Sequence, residues 1–160
     1  MKRTMMISEK LQLKFIPYAV DFRSISNKSL LNNNIGFMAP YNDEFIFKTS
    51  FDKANRSSLS SYRGVGIEEG VRILRRVKNE LGVNIITDIH EPWQASAVVD
   101  VVDVIQVPAF LCRQTDLLKA VAQTGKVIHV KKAQFANAQT MHKCKEKLIE
   151  FGNPNVILCE

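Results

Sequence analysis

The sequence predicts an α/β protein built on parallel strands, and three observations predict it. Short, continuously apolar runs alternate with segments whose apolar residues recur at helical spacing. Gly82, Gly125 and Gly152 each follow such a helical segment, where a helix commonly ends. Charged or amide side chains gather where the apolar runs stop. Strands that are apolar on both faces and separated by helices pair in parallel, with both sheet faces covered. Periodicity alone leaves open whether such a sheet is open or closed into a barrel.

The elements follow in order. Residues 1–43 form an atypical segment: Ser24 to Asn34 is polar and asparagine-rich, and Pro17, Gly36 and Pro40 punctuate weak apolar clusters. No period of either kind emerges there, so loose packing is expected. From Glu44 the repeating pattern takes over and runs to residue 160. Strands are expected near 45–50, 84–89, 104–108, 127–131 and 155–159. Between them lie Ile67, Val71, Leu74, Val77 and Leu81, then a helix from near Trp93. Next come Leu117, Leu118, Val121 and Ala122, and finally Met141, Cys144, Leu148 and Ile149. Lys48, Asp88, His90, Gln106, Lys131 and Lys132 fall at the C-terminal ends of the strands, the edge that carries ligands in such sheets.

Composition narrows the function. At 160 residues the chain is long enough to bury one core, and 46% hydrophobic with 24% charged residues is ordinary for a globular protein. No stretch approaches the roughly 18 consecutive apolar residues of a membrane span. The formal charge is +6, but residues 1–40 hold six Lys/Arg against two acids while residues 41–160 hold sixteen against fourteen. A nearly balanced body fits a small anionic ligand better than a nucleic acid or a membrane surface. Cys112, Cys144 and Cys159 are odd in number and widely spaced, which suggests reduced intracellular thiols. The Lys/Arg excess and serines of the first residues also fit a transit peptide, but a cytoplasmic location is the default.

The densest chemistry runs from Phe47 to Ser58, with Lys48, Lys53, Asn55, Arg56 and Ser57, and continues through Ser61-Tyr62-Arg63-Gly64. Lysine charge, forked arginine donors and hydroxyls suit a phosphate. Composition alone fits a solvated basic loop equally well. Thr87-Asp88-Ile89-His90-Glu91-Pro92, Ile105-Gln106-Val107-Pro108-Ala109-Phe110-Leu111-Cys112-Arg113-Gln114-Thr115-Asp116 and Val130-Lys131-Lys132 belong with it.

These segments, with Gly152-Asn153-Pro154-Asn155, resemble the 3-deoxy-D-manno-octulosonate 8-phosphate synthase (2-dehydro-3-deoxyphosphooctonate aldolase) family over residues 44–160. The resemblance implies a partial (β/α)8 barrel of about five parallel strands and a homotetramer. It also implies condensation of phosphoenolpyruvate with D-arabinose 5-phosphate and water, on the way to a lipopolysaccharide or cell-wall sugar. Carried over by motif, Lys48, Lys53, Asp88, Gln106, Ala109 and Lys131 would serve phosphoenolpyruvate. Lys53 and Asn55 would face the reacting aldehyde, and Asn55, Arg56 and Ser57 would hold the sugar phosphate, with Arg113 arriving from a neighbouring subunit. Two alternatives remain: the related 3-deoxy-D-arabino-heptulosonate 7-phosphate synthase, and a non-catalytic fragment that keeps a phosphate pocket.

The remaining residues draw plainer expectations. His90 is expected as a strand-end hydrogen-bonder, His129 and His142 as surface or core-packing residues, and Trp93 as a packing residue. Arg72, Arg75, Arg76 and Lys78 read as a solvated helix face. No cofactor is expected, and no metal ligand set is assigned. Metal-dependent members take their ligands from an N-terminal Cys and C-terminal residues with no counterpart here. Residues 1–43 lack the family's Gly-Pro-Asn or Gly-Pro-Cys segment, and Met38-Ala39-Pro40 is too slight to replace it. Cys159-Glu160 is where the family continues into an Arg-Gly pair, so the 160-residue chain alone is expected to be inactive.

Overall fold

The computed structural model describes residues 46–160. The expectations for residues 1–43 lie outside the described residues. Five strands alternate with helices: β1 (Ile46–Lys48), α1 (Ile67–Leu81), β2 (Asn84–Asp88), α2 (Gln94–Val98) and β3 (Val104–Val107). A 3-10 turn (Ala109–Leu111), α3 (Thr115–Ala122), β4 (Val127–Lys131), α4 (Ala138–Glu150) and β5 (Val156–Cys159) follow. The sheet order is β1-β2-β3-β4-β5, and every pairing is parallel. This is the α/β fold the sequence predicts: five parallel strands in an unclosed sheet, as part of a (β/α)8 barrel would have.

Each helix forms for local reasons. In α1, Glu68 and Glu69 sit in the first turn and Lys78 in the last, matching the helix dipole. Gly82 ends it in the left-handed region, its N–H reaching Lys78 O at 2.9 Å. Leu74 and Val77 are buried, while Ile67, Val71 and Leu81 pack half-buried against the same core. Helix α3 buries the expected quartet of Leu117, Leu118, Val121 and Ala122. Helix α4 starts at Asn137, whose side chain accepts from Thr140 N at 2.8 Å. It buries Met141, Cys144 and Leu148, but Ile149 turns outward and is 46% exposed.

Register sorts the strand residues onto two faces. Phe47, Ile85, Ile105, Val107, Ile128 and Val130 face the helices in the main core. Ile46, Ile86 and Val104, with Val127 against them, form a small second cluster on the other face. Because side chains alternate along a strand, Lys48, Asp88, Gln106, His129 and Lys131 share that second face. They occupy its C-terminal end, above the apolar cluster.

Candidate active site

The network is built on the ends of β1 and β2. Lys48 Nζ donates to Asp88 Oδ1 at 2.6 Å and to Ser50 Oγ at 3.3 Å. The Ser50 hydroxyl itself donates to Asp88 Oδ1, and Lys53 Nζ donates to Ser50 Oγ at 2.8 Å. His90 Nε2 stands 3.3 Å from the other carboxylate oxygen, Oδ2. The backbone beneath is held past the strand ends by Thr49 N to Ile86 O and Ile89 N to Gln106 O. Thr87 Oγ1 adds a bond to Thr49 O at 2.8 Å. The expectation for His90 therefore holds: it is a hydrogen-bonder at a strand end.

Electrostatics set the protonation states. Burial pushes the Asp88 carboxyl up, but the hydrogen bond from His90, the Lys48 charge and the bonds from Lys48 and Ser50 outweigh it. Asp88 ends well below the usual carboxylate range and stays ionised. Burial lowers the Lys48 ammonium, Asp88 opposes that, and the charges of Lys53 and Lys131 lower it further. The charges of Lys53 and Lys131 thus both reach Lys48. His129 is pushed down to about 4, first by burial and then by Lys48 and Lys131, so its ring is neutral at neutral pH.

The structure brings Lys48, Lys53, Asp88, Gln106 and Lys131 to one end of one sheet face. Gln106 stands in register beside Asp88, and Lys131 lies on the exposed rim. Ala109 follows β3 in the 3-10 turn and packs half-buried against the core. Asn55, Arg56 and Ser57 stand exposed on the connection between β1 and α1. Arg113 is exposed after β3, and its charge reaches Cys144 of α4. Among the described residues, no contact joins these four to the lysine–aspartate network.

One participant was not singled out in the sequence. Ser50 bridges Lys48, Lys53 and Asp88, but nothing distinguishes it from the other hydroxyls of the Phe47–Ser58 stretch. His129, expected as a surface or packing residue, is buried on the ligand face in register with Gln106. Trp93 is not a packing residue: it is 55% exposed, and its indole N–H donates to Glu91 Oε2 at 2.5 Å. Arg72, Arg75 and Arg76 do lie on a solvated face, the first and last paired with Glu69 and Glu80, but Lys78 turns inward and is half-buried on Asp103 at 2.7 Å. The three cysteines are free thiols. Among the described residues no helix is long and apolar enough to cross a membrane, and no group of three or more His, Cys, Asp or Glu could hold a metal.

A parallel sheet whose C-terminal edge carries Lys48 on an ionised Asp88, with the charges of Lys53 and Lys131 reaching Lys48, defines an α/β protein with a candidate anion site at that edge. The DAHP synthetase I family profile matches residues 35–160, and the chain belongs to that family. A protein of Psychromonas ingrahamii is 60% identical over 119 residues, 74% of this chain and 42% of that protein. Proteins of Stutzerimonas stutzeri and Chromobacterium violaceum are 59% and 55% identical over 116 residues, 72% of this chain and 41% of each. All three are named 2-dehydro-3-deoxyphosphooctonate aldolase. The chain thus spans about two fifths of the length of these relatives.

Proposed function

We propose that this chain supplies the phosphoenolpyruvate half of a 3-deoxy-D-manno-octulosonate 8-phosphate synthase. The observation that carries the reading is the Lys48–Asp88 pair with Lys53 on Ser50, at a sheet edge where the charge of Lys131 also reaches Lys48. Phosphoenolpyruvate carries a phosphate and a carboxylate, and clustered ammonium groups offset that charge. Asp88 orients the lysines while remaining anionic, and Gln106 and the backbone near Ala109 add neutral donors. Lys53 and Asn55 face the aldehyde of D-arabinose 5-phosphate, and Arg56 and Ser57 hold its phosphate. Arg113 serves a neighbouring subunit of a cytoplasmic homotetramer.

In this reaction C3 of phosphoenolpyruvate forms a bond to the aldehyde carbon, whose oxygen gains a proton. Water adds at C2, and the C2–O bond to phosphate breaks, releasing inorganic phosphate. The protein's part is to hold two multiply charged anions together in reacting geometry. The names of the relatives favour this reading over the heptulosonate enzyme, although the family is named for DAHP synthetase.

Among the described residues the sheet is open, and the 160-residue chain is expected to bind phosphoenolpyruvate without turnover. Calorimetric titration with phosphoenolpyruvate tests the pocket: binding lost in Lys48→Ala and Lys131→Ala supports it, and no binding by the wild type refutes it. Joining residues 44–160 to the remaining strands of a relative tests the activity. That chimera is expected to release phosphate only when both substrates are present.

A further inference from the structure

The loop between β1 and α1 is drawn together between Phe51 and Gly66, and its neck is closed on successive rungs. Gly66 N donates to Phe51 O at 3.1 Å, and Lys53 N donates to Arg63 O at 2.6 Å. Between those rungs the Arg63 guanidinium grips both oxygens of Asp52, Nε to Oδ1 at 2.9 Å and Nη2 to Oδ2 at 2.5 Å. Gly64 completes the neck: at φ +142° it lies so close to Phe51 that an added Cβ would stand 2.1 Å from the Phe51 carbonyl oxygen. A loop whose ends are pinned this way is an Ω-loop, a form that often carries function. Its exposed tip holds Asn55, Arg56 and Ser57, and Lys53 projects from its neck onto Ser50.

We propose that the Asp52–Arg63 pair is a latch that positions this loop for anion binding, with Asp52 and Arg63 as positioning residues. The inference rests on the anion-binding reading of the site. Two physical points support it. The pair is too exposed for global stability to explain it, since Arg63 is 60% and Asp52 18% exposed, and such pairs contribute little. Its effect is local: it joins the two ends of one loop. Moreover, Asp52 directly precedes Lys53, and a carboxylate beside an anion site competes with the anion for its lysines. The bidentate grip of Arg63 occupies both carboxylate oxygens and turns that charge away. Arg63 also feels Glu91 of the neighbouring β2–α2 connection, which biases the guanidinium towards this corner.

The test uses the full 160-residue chain with inorganic phosphate as the probe. Amide hydrogen exchange over residues 53–63 and tryptic cleavage after Arg56 report loop order, and titration reports affinity. Arg63→Gln is expected to raise loop exchange roughly fivefold, the upper range for an exposed pair, with little change in Tm. Phosphate affinity should fall by a similar factor. Asp52→Asn/Arg63→Gln should keep the faster exchange yet regain part of the affinity, because the stray carboxylate is gone; a merely structural pair predicts no such recovery. Unchanged exchange in Arg63→Gln, or faster exchange with unchanged affinity, overturns the latch. Should the wild-type chain bind no phosphate, the reading of the site fails, and the exchange data alone then decide whether the pair latches the loop.

Discussion

Lys48 and Asp88 meet at 2.6 Å across the ends of two neighbouring parallel strands, forty residues apart in the chain. Asp88 is almost fully buried, and Ser50 and His90 complete its shell. One carboxylate therefore ties three groups to the floor of the candidate site.

Asp88→Asn should destabilise the chain. The substitution leaves the Lys48 ammonium in a largely buried place without its counter-charge, and His90 loses a carboxylate acceptor. Breaking a buried pair by removing one partner costs about 3–5 kcal/mol, with the lower end fitting a lysine that keeps some exposure. Urea unfolding at neutral pH measures it; a loss below about 1 kcal/mol would show that water already shields Lys48.

His129 makes stability depend on pH. Its folded value of about 4 lies below the ordinary 6.5, so the unfolded chain binds the proton more tightly between those values. Stability contributed by the neutral ring is fully present above about pH 6.5 and falls as pH drops towards 4. The difference amounts to about 3 kcal/mol. Asp88 acts in a lower window, because its depressed value keeps it ionised until more acid conditions. Unfolding at pH 7 and pH 4.5 should differ less in His129→Gln than in the wild type. An equal acid loss in both would assign it to other groups.

Gly70→Ala should disturb the start of the anion loop from inside the helix. A Cβ there would fall 2.3 Å from Phe51 Cβ, and Phe51 is fully buried with its ring edge-on to His90. Either α1 or Phe51 must shift, and overpacking of this kind costs about 1–3 kcal/mol. Thermal melts measure the loss, and imidazole NMR shifts of His90 report whether Phe51 moved. A variant with wild-type Tm would show that α1 slides freely against β1.

The sequence made the sheet legible because apolar runs such as Val104–Val107 and Val127–Lys131 are buried by helices on one face and a small cluster on the other. Each observed strand lies within its expected range, and Gly82, Gly125 and Gly152 mark positive-φ reversals. Lysines and acids at strand ends were visible for the same reason: alternation and strand length fix their face. Ser50 was hidden because its acceptor, Asp88, comes from another strand. Its role depends on register, which one strand's sequence does not state. Trp93 and Ile149 misled because apolar type and spacing do not reveal how much of a helix its neighbours cover, and both are exposed.

Lys53→Ala should separate the candidate site from the general positive charge of the chain. Lys53 Nζ bonds Ser50 Oγ at 2.8 Å, and its charge is felt at Lys48. Arg72, by contrast, pairs with Glu69 on the solvent side of α1. Both substitutions remove one positive charge, so a diffuse electrostatic attraction would weaken anion binding equally in the two variants. A shaped site weakens only in Lys53→Ala, because a charged hydrogen bond to an anion contributes roughly 1.5–3 kcal/mol. Phosphoenolpyruvate affinity of the 160-residue chain should therefore fall about tenfold or more in Lys53→Ala and stay near wild type in Arg72→Ala. Raising salt should narrow the gap little, since screening acts chiefly on exposed charges and Lys53 is half-buried. Equal losses in both variants, erased together by salt, would mean that the chain attracts anions without building a site for them.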